Sequence, residues 1–297
     1  VIQSTNVDLI YEVPLVFHNQ HLDDYILKEL DLEDRPKSNG NWKKMVDRFK
    51  DVKGEVSIGL VGKYVSLHDA YLSVTQALTD AGCENGVKVN IKWLNSEEIE
   101  KDSRILKGLD GIIVPGGFGS RGTEGMIMTS KYARENNVPY FGICYGMQIA
   151  LIDIARNKLG YKGANSTEID PETNYPIIDL LENQKDIKNV GGTLRLGNYD
   201  CTIHKDTLVY SLYGEEKIKE RHRHRYEFNN DYRGKIRSAG VVFSGINEDK
   251  DLVEIIELKD SDFFVACQFH PEFKSRPTKV HPLFNGFIKA AINNKNK

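Results

Sequence analysis

Residues 140 to 146 read Tyr140-Phe141-Gly142-Ile143-Cys144-Tyr145-Gly146, an apolar run that ends in a cysteine between two glycines. The run predicts a short buried strand, and the apolar spacing over Met147–Arg156 predicts a helix directly after it. The glycines predict a sharp turn at Cys144, because residues without a Cβ atom leave room for one. A strand that turns directly into a helix is the building block of α/β proteins.

The same alternation of strand and helix is found on the N-terminal side of this stretch. The sequence predicts strands over Val56–Val61, Val87–Trp93 and Gly111–Val114, and helices over Ala70–Ala81 and Glu124–Asn136. We therefore predict the α/β class, with a mostly parallel central sheet, helices on both faces and ligand sites at the carboxyl ends of the strands. After about Gly160 the alternation stops, and shorter strand candidates are predicted to extend or flank the sheet: Gly192–Leu196, Val241–Ser244, Leu252–Leu258 and Phe263–Phe269.

Composition and charge exclude several classes of protein. The chain has 297 residues, of which 40% are hydrophobic and 28% are charged, so the bulk of it is not disordered. The formal net charge is −3, which favours neither nucleic acid nor an anionic membrane surface as a partner. The four cysteines are widely scattered and predict neither a disulfide framework nor a zinc site, as expected for a reducing cytoplasmic location. No apolar stretch approaches the roughly 20 residues that cross a bilayer.

The two ends of the chain differ from the α/β part. Residues 16–50 are polar and charged, with a turn-rich break at 35–41 and a candidate helix over Trp42–Phe49, and we predict a linker there. The first residue is Val1 and not methionine, which we interpret as a fragment of a longer protein. The polar tail at 294–297 is predicted to be disordered.

Cys144 is the first candidate catalytic residue. A nucleophile between two glycines at a strand-to-helix junction is the elbow pattern, which exposes the side chain at the top of a sheet. The N-terminus of the following helix favours a thiolate over a thiol. Taken alone, the pentapeptide is also compatible with a small buried core cysteine.

His270 and Glu272 supply the missing partners. They follow the strand candidate Phe263–Phe269, and a carboxylate two residues after a histidine can orient the imidazole toward a thiol on another strand. A histidine alone is more often structural. Beside a cysteine elbow in an α/β chain, we interpret His270 as the catalytic base.

The glycines at 116, 117 and 119 directly follow the strand Gly111–Val114. Their backbone N–H groups could face a developing oxyanion, with the N–H of Tyr145 as a second donor. The same segment matches a dinucleotide-binding pattern through Gly117, Gly119 and Gly122, but it follows the third strand and no acidic residue ends a strand about 20 positions later.

Two charged features could hold a substrate. The run Arg221-His222-Arg223-His224-Arg225 is by default a solvated helix end or loop, although one guanidinium could grip a substrate carboxylate with two hydrogen bonds. Glu168 could hold an ammonium group at the other end of a zwitterionic substrate. Alone, it would be an ordinary surface acid.

Together these residues resemble the triad (class I) glutamine amidotransferases, and more narrowly the C-terminal amidotransferase domains of the CTP synthase family. The narrower likeness rests on Val61-Gly62-Lys63-Tyr64, on Asp69-Ala70-Tyr71-Leu72-Ser73-Val74 and on Arg221 through Glu227. The segment Ile10–Leu15 is similar to the end of that family's synthetase domain. The resemblance thus implies the end of a synthetase domain and a linker over 1–50, and an amidotransferase domain over 51–293.

The resemblance also implies a role for each matching residue. Cys144 matches the nucleophile, His270 the base and acid, and Glu272 the residue that orients the histidine. The glutamine-binding positions match Gly117, Tyr145, Gly146, Met147, Gln148, Glu168 and Arg225. At Tyr145 the family usually has leucine, so the packing around the pocket mouth is expected to differ.

The implied activity is hydrolysis of L-glutamine through a Cys144 thioester, with transfer of ammonia to the synthetase domain for ATP-dependent amination of UTP. No cofactor or metal is expected in this domain itself. The parent enzyme is expected to use ATP and magnesium, to be activated by GTP and to form a homotetramer. Two alternatives remain open: a free-standing γ-glutamyl hydrolase of the same fold, and a non-catalytic assembly module.

Overall fold

The computed structural model describes residues 1–32, 39–180 and 195–297. Its helices are α1 Val13–Asn19, α2 Leu22–Glu29, α3 Gly40–Lys50, α4 Leu72–Glu84, α5 Ser96–Lys101, α6 Thr123–Glu135, α7 Tyr145–Asn157, α8 Leu208–Tyr213, α9 Arg233–Ser238 and α10 Pro282–Lys295. Its strands are β1 Gly54–Gly62, β2 Val87–Asn95, β3 Gly111–Val114, β4 Tyr140–Ile143, β5 Asn165–Ser166, β6 Pro176–Leu180, β7 Arg195–Ile203, β8 Lys217–His224, β9 Tyr226–Phe228, β10 Val241–Asn247, β11 Leu252–Leu258 and β12 Phe264–Cys267.

One large sheet organises these elements in the order β2-β1-β3-β4-β12-β11-β10-β7-β8. In this order, the first five strands, β2, β1, β3, β4 and β12, pair in parallel, and the remaining neighbours in the sheet pair antiparallel. A small second sheet has the order β5-β6-β9. The predicted α/β class is therefore confirmed, with a parallel half and an antiparallel extension.

The central strands are buried on both faces because their side chains alternate between two apolar clusters. On β3, Ile112 and Val114 join the cluster that includes residues of α6 and α7, whereas Ile113 joins the cluster that includes residues of α4 and α10. On β4, Phe141 packs edge-on against Phe284 of α10, with ring centroids 5.2 Å apart. Helices on both faces explain why these strands read as continuous apolar runs.

The register of three parallel strands brings their carboxyl ends together. Val114 of β3 pairs with Gly142, and Ile143 of β4 pairs with Cys267 of β12. The segments that leave these three strands begin at Pro115, Cys144 and Gln268. The glycine-rich segment, the cysteine elbow and the His270 segment therefore meet at one edge of the sheet.

The cationic run at 221–225 has a different structure from its default interpretation. Strand β8 includes Arg221 through His224, and the exposed arginines alternate with the buried His222 and His224. The interpretation of this run as a helix end or loop is wrong, because a two-residue alternation of exposure is the property of a strand.

The predicted linker contains helices. Its α3 confirms the candidate helix at Trp42–Phe49, and Met45 and Val46 of α3 are buried. The indole N–H of Trp42 donates to the Tyr11 carbonyl at 2.7 Å. Parts of the predicted turn at 35–41 and strand at 192–196 lie outside the described residues.

At the other end, α10 continues to Lys295, two residues into the tail for which disorder was predicted. The Asn294 side chain donates to the Asp110 carbonyl at 3.1 Å, which holds the last turn against the fold. None of the helices within the described ranges is long and apolar enough to cross a membrane.

Candidate active site

Cys144 lies at the turn between β4 and α7 with φ 51° and ψ −98°. Its N–H donates to the Cys267 carbonyl at 2.7 Å, which ties the turn to β12. A Cβ atom at Gly142 would lie 2.8 Å from the Ala266 Cβ, and one at Gly146 would lie 2.1 Å from the Val114 carbonyl oxygen. Both flanking glycines are therefore required by close packing, and the elbow is a strained turn held by its neighbours.

Replacing Gly146 by alanine is expected to lower the free energy of unfolding by about 3 kcal/mol, because the new methyl group overlaps the β3 backbone. Urea unfolding followed by circular dichroism measures the change. Gly234→Ala is the matched control, since Gly234 lies in α9 and a Cβ atom there meets nothing within 4 Å. Equal midpoints for Gly146→Ala and the wild type would show that the packing at the elbow is looser than described.

His270 follows β12 and faces Cys144. Its Nδ1–H donates to Glu272 Oε1 at 2.7 Å, and its other ring nitrogen is left for the hydrogen bond with the Cys144 side chain. The His270 N–H donates to the Arg221 carbonyl at 2.8 Å, which fixes the segment on β8. The structure thus brings the three predicted catalytic residues together in the order nucleophile, base and orienting carboxylate.

Electrostatics favour an ion pair in this triad. Burial by itself lowers the pKa of His270, but the charges and hydrogen bonds of Cys144 and Glu272 raise it to about 11. At neutral pH the imidazole is therefore protonated beside the sulfur. An imidazolium and a helix N-terminus both stabilise a thiolate.

The other three cysteines lack such an environment. Burial raises the pKa of the Cys83 thiol to about 11, and it raises the pKa values of the Cys201 and Cys267 thiols as well. Thiols held in the neutral form are poor nucleophiles. Cys144 is therefore expected to be the reactive cysteine of the chain.

Alkylation by iodoacetamide tests this difference. At pH 7 we expect Cys144 to react about tenfold faster in the wild type than in His270→Asn, because a protonated imidazole beside the sulfur stabilises the reacting thiolate. Peptide mass spectrometry at timed intervals measures both rates. Equal rates in the two proteins would contradict the ion pair.

The glycine-rich segment packs against His270. A Cβ atom at Gly116 would lie 2.8 Å from His270 Cε1, so a glycine is required there for the imidazole to fit. The N–H of Tyr145 lies in the first turn of α7, where no intrahelical acceptor is available. Gly117 lines the cavity together with Cys144, and the Tyr145 N–H directly follows Cys144 in the chain, so these are the two predicted donors for an oxyanion.

A cavity of about 590 Å³ opens in front of Cys144. Among the predicted site residues, its lining includes Gly117, Cys144, Gln148, Glu168, Arg225, His270 and Glu272. Tyr145 and Met147 are buried in an apolar cluster and do not line it. Only the backbone atoms of these two residues are therefore expected to contact a ligand.

Glu168 and Arg225 reach the cavity from different elements. Glu168 lies just after β5, where its Oε1 accepts from the Gly119 N–H at 3.0 Å. Arg225 lies between β8 and β9. An acidic and a basic side chain that line the same cavity match a ligand that carries both an ammonium and a carboxylate group.

A buried polar network fixes the strand that leads to Arg225. The ring nitrogens His222 Nδ1 and His224 Nε2 lie 2.9 Å apart, and His224 Nδ1–H donates to the Tyr226 carbonyl at 3.2 Å. Burial lowers the pKa of both histidines, and Arg195 lowers it further, so both are uncharged. The hydrogen bonds of neutral histidines thus hold the backbone on both sides of Arg225.

Sequence reasoning gave no role to Gln268 or to the segment 69–74. The Gln268 side chain lies 3.6 Å from Cys144 Sγ and 3.3 Å from the Gln148 side chain, so it links Cys144 to α7. The segment 69–74 lines the cavity. Gln268 lies two residues before His270 in the sequence, and this proximity could have indicated that Gln268 belongs to the site.

Comparison with known proteins identifies the family of the chain. The model of the family "Glutamine amidotransferase class-I" matches residues 66–290. The chain belongs to the class-I glutamine amidotransferases. The fold and the grouping of Cys144, His270 and Glu272 are those expected from the sequence resemblance, and family membership is confirmed.

Within the class-I glutamine amidotransferases, the chain is similar to CTP synthases. It is 54% identical to the CTP synthase of Clostridium acetobutylicum over 100% of this chain and 56% of that protein. It is 53% identical to the CTP synthase of Staphylococcus carnosus over 98% of this chain and 54% of that protein. The chain therefore spans about half the length of these curated relatives.

A solved structure supports the same placement. The glutaminase domain of Trypanosoma brucei CTPS with bound acivicin superposes with a TM-score of 0.76, at 36% identity, over 80% of this chain and 94% of that chain. This match places the likeness in the glutaminase part of such enzymes.

Proposed function

We propose that this chain is the glutaminase domain of a CTP synthase and that it releases ammonia from L-glutamine. The observation that carries the proposal is the meeting of Cys144, His270 and Glu272 on one cavity that is also lined by Glu168 and Arg225. The first three residues can hydrolyse an amide, and the last two suit the α-ammonium and α-carboxylate groups of an amino acid.

In the first half of the reaction, the Cys144 thiolate attacks the side-chain amide carbon of glutamine, and a carbon–sulfur bond forms. The carbonyl oxygen becomes an oxyanion that the Tyr145 N–H and the Gly117 segment stabilise. The intermediate collapses as the carbon–nitrogen bond breaks. The protonated His270 gives its proton to the departing nitrogen, so that ammonia leaves and a γ-glutamyl thioester remains.

In the second half, a water oxygen attacks the thioester carbon while the now neutral His270 accepts a proton from that water molecule. The same backbone donors stabilise the second oxyanion. The carbon–sulfur bond then breaks, glutamate leaves, and the thiolate and imidazolium are restored. Glu272 holds His270 in one tautomer throughout and stabilises its charged form.

The remaining steps concern the complete protein. We propose that ammonia passes to a synthetase domain, where ATP and magnesium support the amination of UTP to CTP. Activation by GTP and a homotetrameric assembly remain predictions from the family, and no residue of this chain is assigned to either. We also propose a cytoplasmic location, which the four free cysteines support.

The proposal is tested by offering the complete protein glutamine labelled with ¹⁵N in the side-chain amide. The expected result is equal formation of glutamate and labelled ammonia, and incorporation of the label into CTP when UTP and ATP are present. Hydrolysis of other γ-glutamyl compounds without hydrolysis of glutamine would favour a free-standing γ-glutamyl hydrolase. No turnover of any of these substrates would favour an assembly module.

A further inference from the structure

Beyond Gly117, the backbone at Phe118 and Gly119 is held by three side chains. The Lys63 ammonium donates to the Phe118 carbonyl at 2.7 Å and also to the Gly119 carbonyl. The Tyr145 hydroxyl donates to the Gly119 carbonyl at 3.0 Å. From the other side, Glu168 accepts from the Gly119 N–H. The segment 117–119, here called the oxyanion loop, is thus fixed at its end by defined contacts.

Tyr145 is the centre of these contacts. Its side chain is 1% exposed, and its hydroxyl lies 2.8 Å from Thr123 Oγ1, the first residue of α6. A Cβ atom placed on Gly117 would lie 3.7 Å from the Tyr145 ring, which is ordinary contact. The ring therefore packs beneath the start of the oxyanion loop while the hydroxyl bonds its end.

Lys63 depends on the same ring. It is 7% exposed, its Nζ lies 4.4 Å from the centroid of the Tyr145 ring, and no described carboxylate lies within ion-pairing distance of it. Burial lowers the pKa of Lys63 to about 8, although Glu168 raises it. An ammonium with so few compensating charges gains from a cation–π contact with the ring.

We propose that Lys63 and Tyr145 form a clamp that positions the oxyanion loop for catalysis. The inference rests on the proposed glutaminase function. The Tyr145 backbone N–H is an oxyanion donor, whereas its side chain is a positioning group that touches neither substrate nor the reacting atoms. A leucine at this position could provide neither the hydroxyl nor the ring face, so the clamp belongs to this chain's tyrosine.

Inactivation by 6-diazo-5-oxo-L-norleucine, a reactive glutamine analogue, separates positioning from binding. The complete protein is used. Two quantities are measured separately: the inactivation rate at saturating analogue, here called the saturated rate, and the analogue concentration that gives half of that rate. We expect Tyr145→Phe to slow the saturated rate about fivefold, through loss of one hydrogen bond to the loop, and Tyr145→Leu to slow it about 30-fold. The half-saturating concentration is expected to stay unchanged, because the side chain does not line the cavity.

Tyr140→Phe is the matched control. Tyr140 is also a buried tyrosine whose hydroxyl donates to a backbone carbonyl, that of Gly146, at 2.8 Å, but it does not contact the oxyanion loop. We expect it to lower the melting temperature and to leave the saturated rate unchanged. A loss of rate in Tyr140→Phe equal to that in Tyr145→Phe would overturn the proposal, because any buried hydroxyl would then have the same effect.

A second test uses the two members of the clamp together. If Lys63 and Tyr145 act as one unit, the loss of saturated rate in Lys63→Met combined with Tyr145→Phe is smaller than the product of the single losses. Multiplicative losses, or an unchanged rate in Tyr145→Leu, would overturn the clamp. A wild-type protein that the analogue does not inactivate would instead contradict the proposed function, so the two failures are distinguishable.

Discussion

Glutamine-dependent CTP formation by the complete protein is expected to fall by on the order of 10⁴ or more when Cys144 is changed to alanine. The reason is that none of the other three cysteines, all of which lie in the described part of the chain, lines the active-site cavity, so the variant has no group that can form the thioester. CTP formation from added ammonia is expected to be unchanged. Both rates are measured spectrophotometrically on the same preparation.

Cys83→Ala serves as the control for that experiment. Cys83 is buried in α4, away from the cavity lining, and its loss is expected to leave both rates as in the wild type. Loss of both rates in a folded Cys144→Ala protein would contradict the separation of glutamine hydrolysis from amination. Retention of both rates would show that Cys144 is not the nucleophile.

Changing His270 to asparagine is expected to lower the rate of glutamine hydrolysis by about 10³-fold, within the range that general acid–base catalysis contributes. Asparagine cannot donate a proton to departing ammonia or accept one from water. Glu272→Gln is expected to lower the rate less, by about 10- to 100-fold, because the amide oxygen can still accept from Nδ1–H but carries no charge. Stopped assays of glutamate formation measure both variants.

His281→Asn is the matched control for the histidine. His281 is also buried beside a glutamate, with its Nε2 3.0 Å from Glu220 Oε1, but it does not line the cavity. We expect a lower melting temperature and an unchanged rate per folded molecule. If His281→Asn lost as much activity as His270→Asn, the catalytic role of His270 would be unsupported.

Much of the parallel half of the sheet could be predicted from the sequence. The runs at 56–61, 111–114 and 140–143 are apolar apart from Ser57 because helices cover both faces, and the observed strands include them. The glycines around Cys144 predicted the elbow. The structure shows the reason, since a Cβ atom at Gly142 or Gly146 would overlap a neighbouring strand. Short motifs next to buried strands are therefore the part of such a site that can be predicted from the sequence.

In the antiparallel extension, β10 and β11 contain the predicted strands Val241–Ser244 and Leu252–Leu258, which are confirmed. Strands β7 and β8 were harder to predict because several of their buried positions are polar. Strand β8 places Ile218, Glu220, His222 and His224 inward, and only the first is apolar. On β7, the buried Arg195 binds Glu227 at 3.1 Å and Glu254 at 2.7 Å. A pattern based on hydrophobicity cannot detect strands whose inner face is an ion-pair and histidine network.

Some contacts of the site could not be predicted because they join distant parts of the chain. Gln268 reaches Cys144 from the segment after β12, and Lys63 reaches Phe118 from the end of β1. Both contacts depend on the order of strands in the sheet. The inward direction of the Tyr145 side chain likewise follows from how α7 packs on β3.

The central claim is that Cys144 is the nucleophile of a glutamine site. It is tested most directly by intact and peptide mass spectrometry of the complete protein after incubation with 6-diazo-5-oxo-L-norleucine, with and without competing glutamine. We predict a single adduct, located on Cys144 and prevented by glutamine. An adduct on another residue, or one on Cys144 that glutamine does not prevent, would contradict the claim.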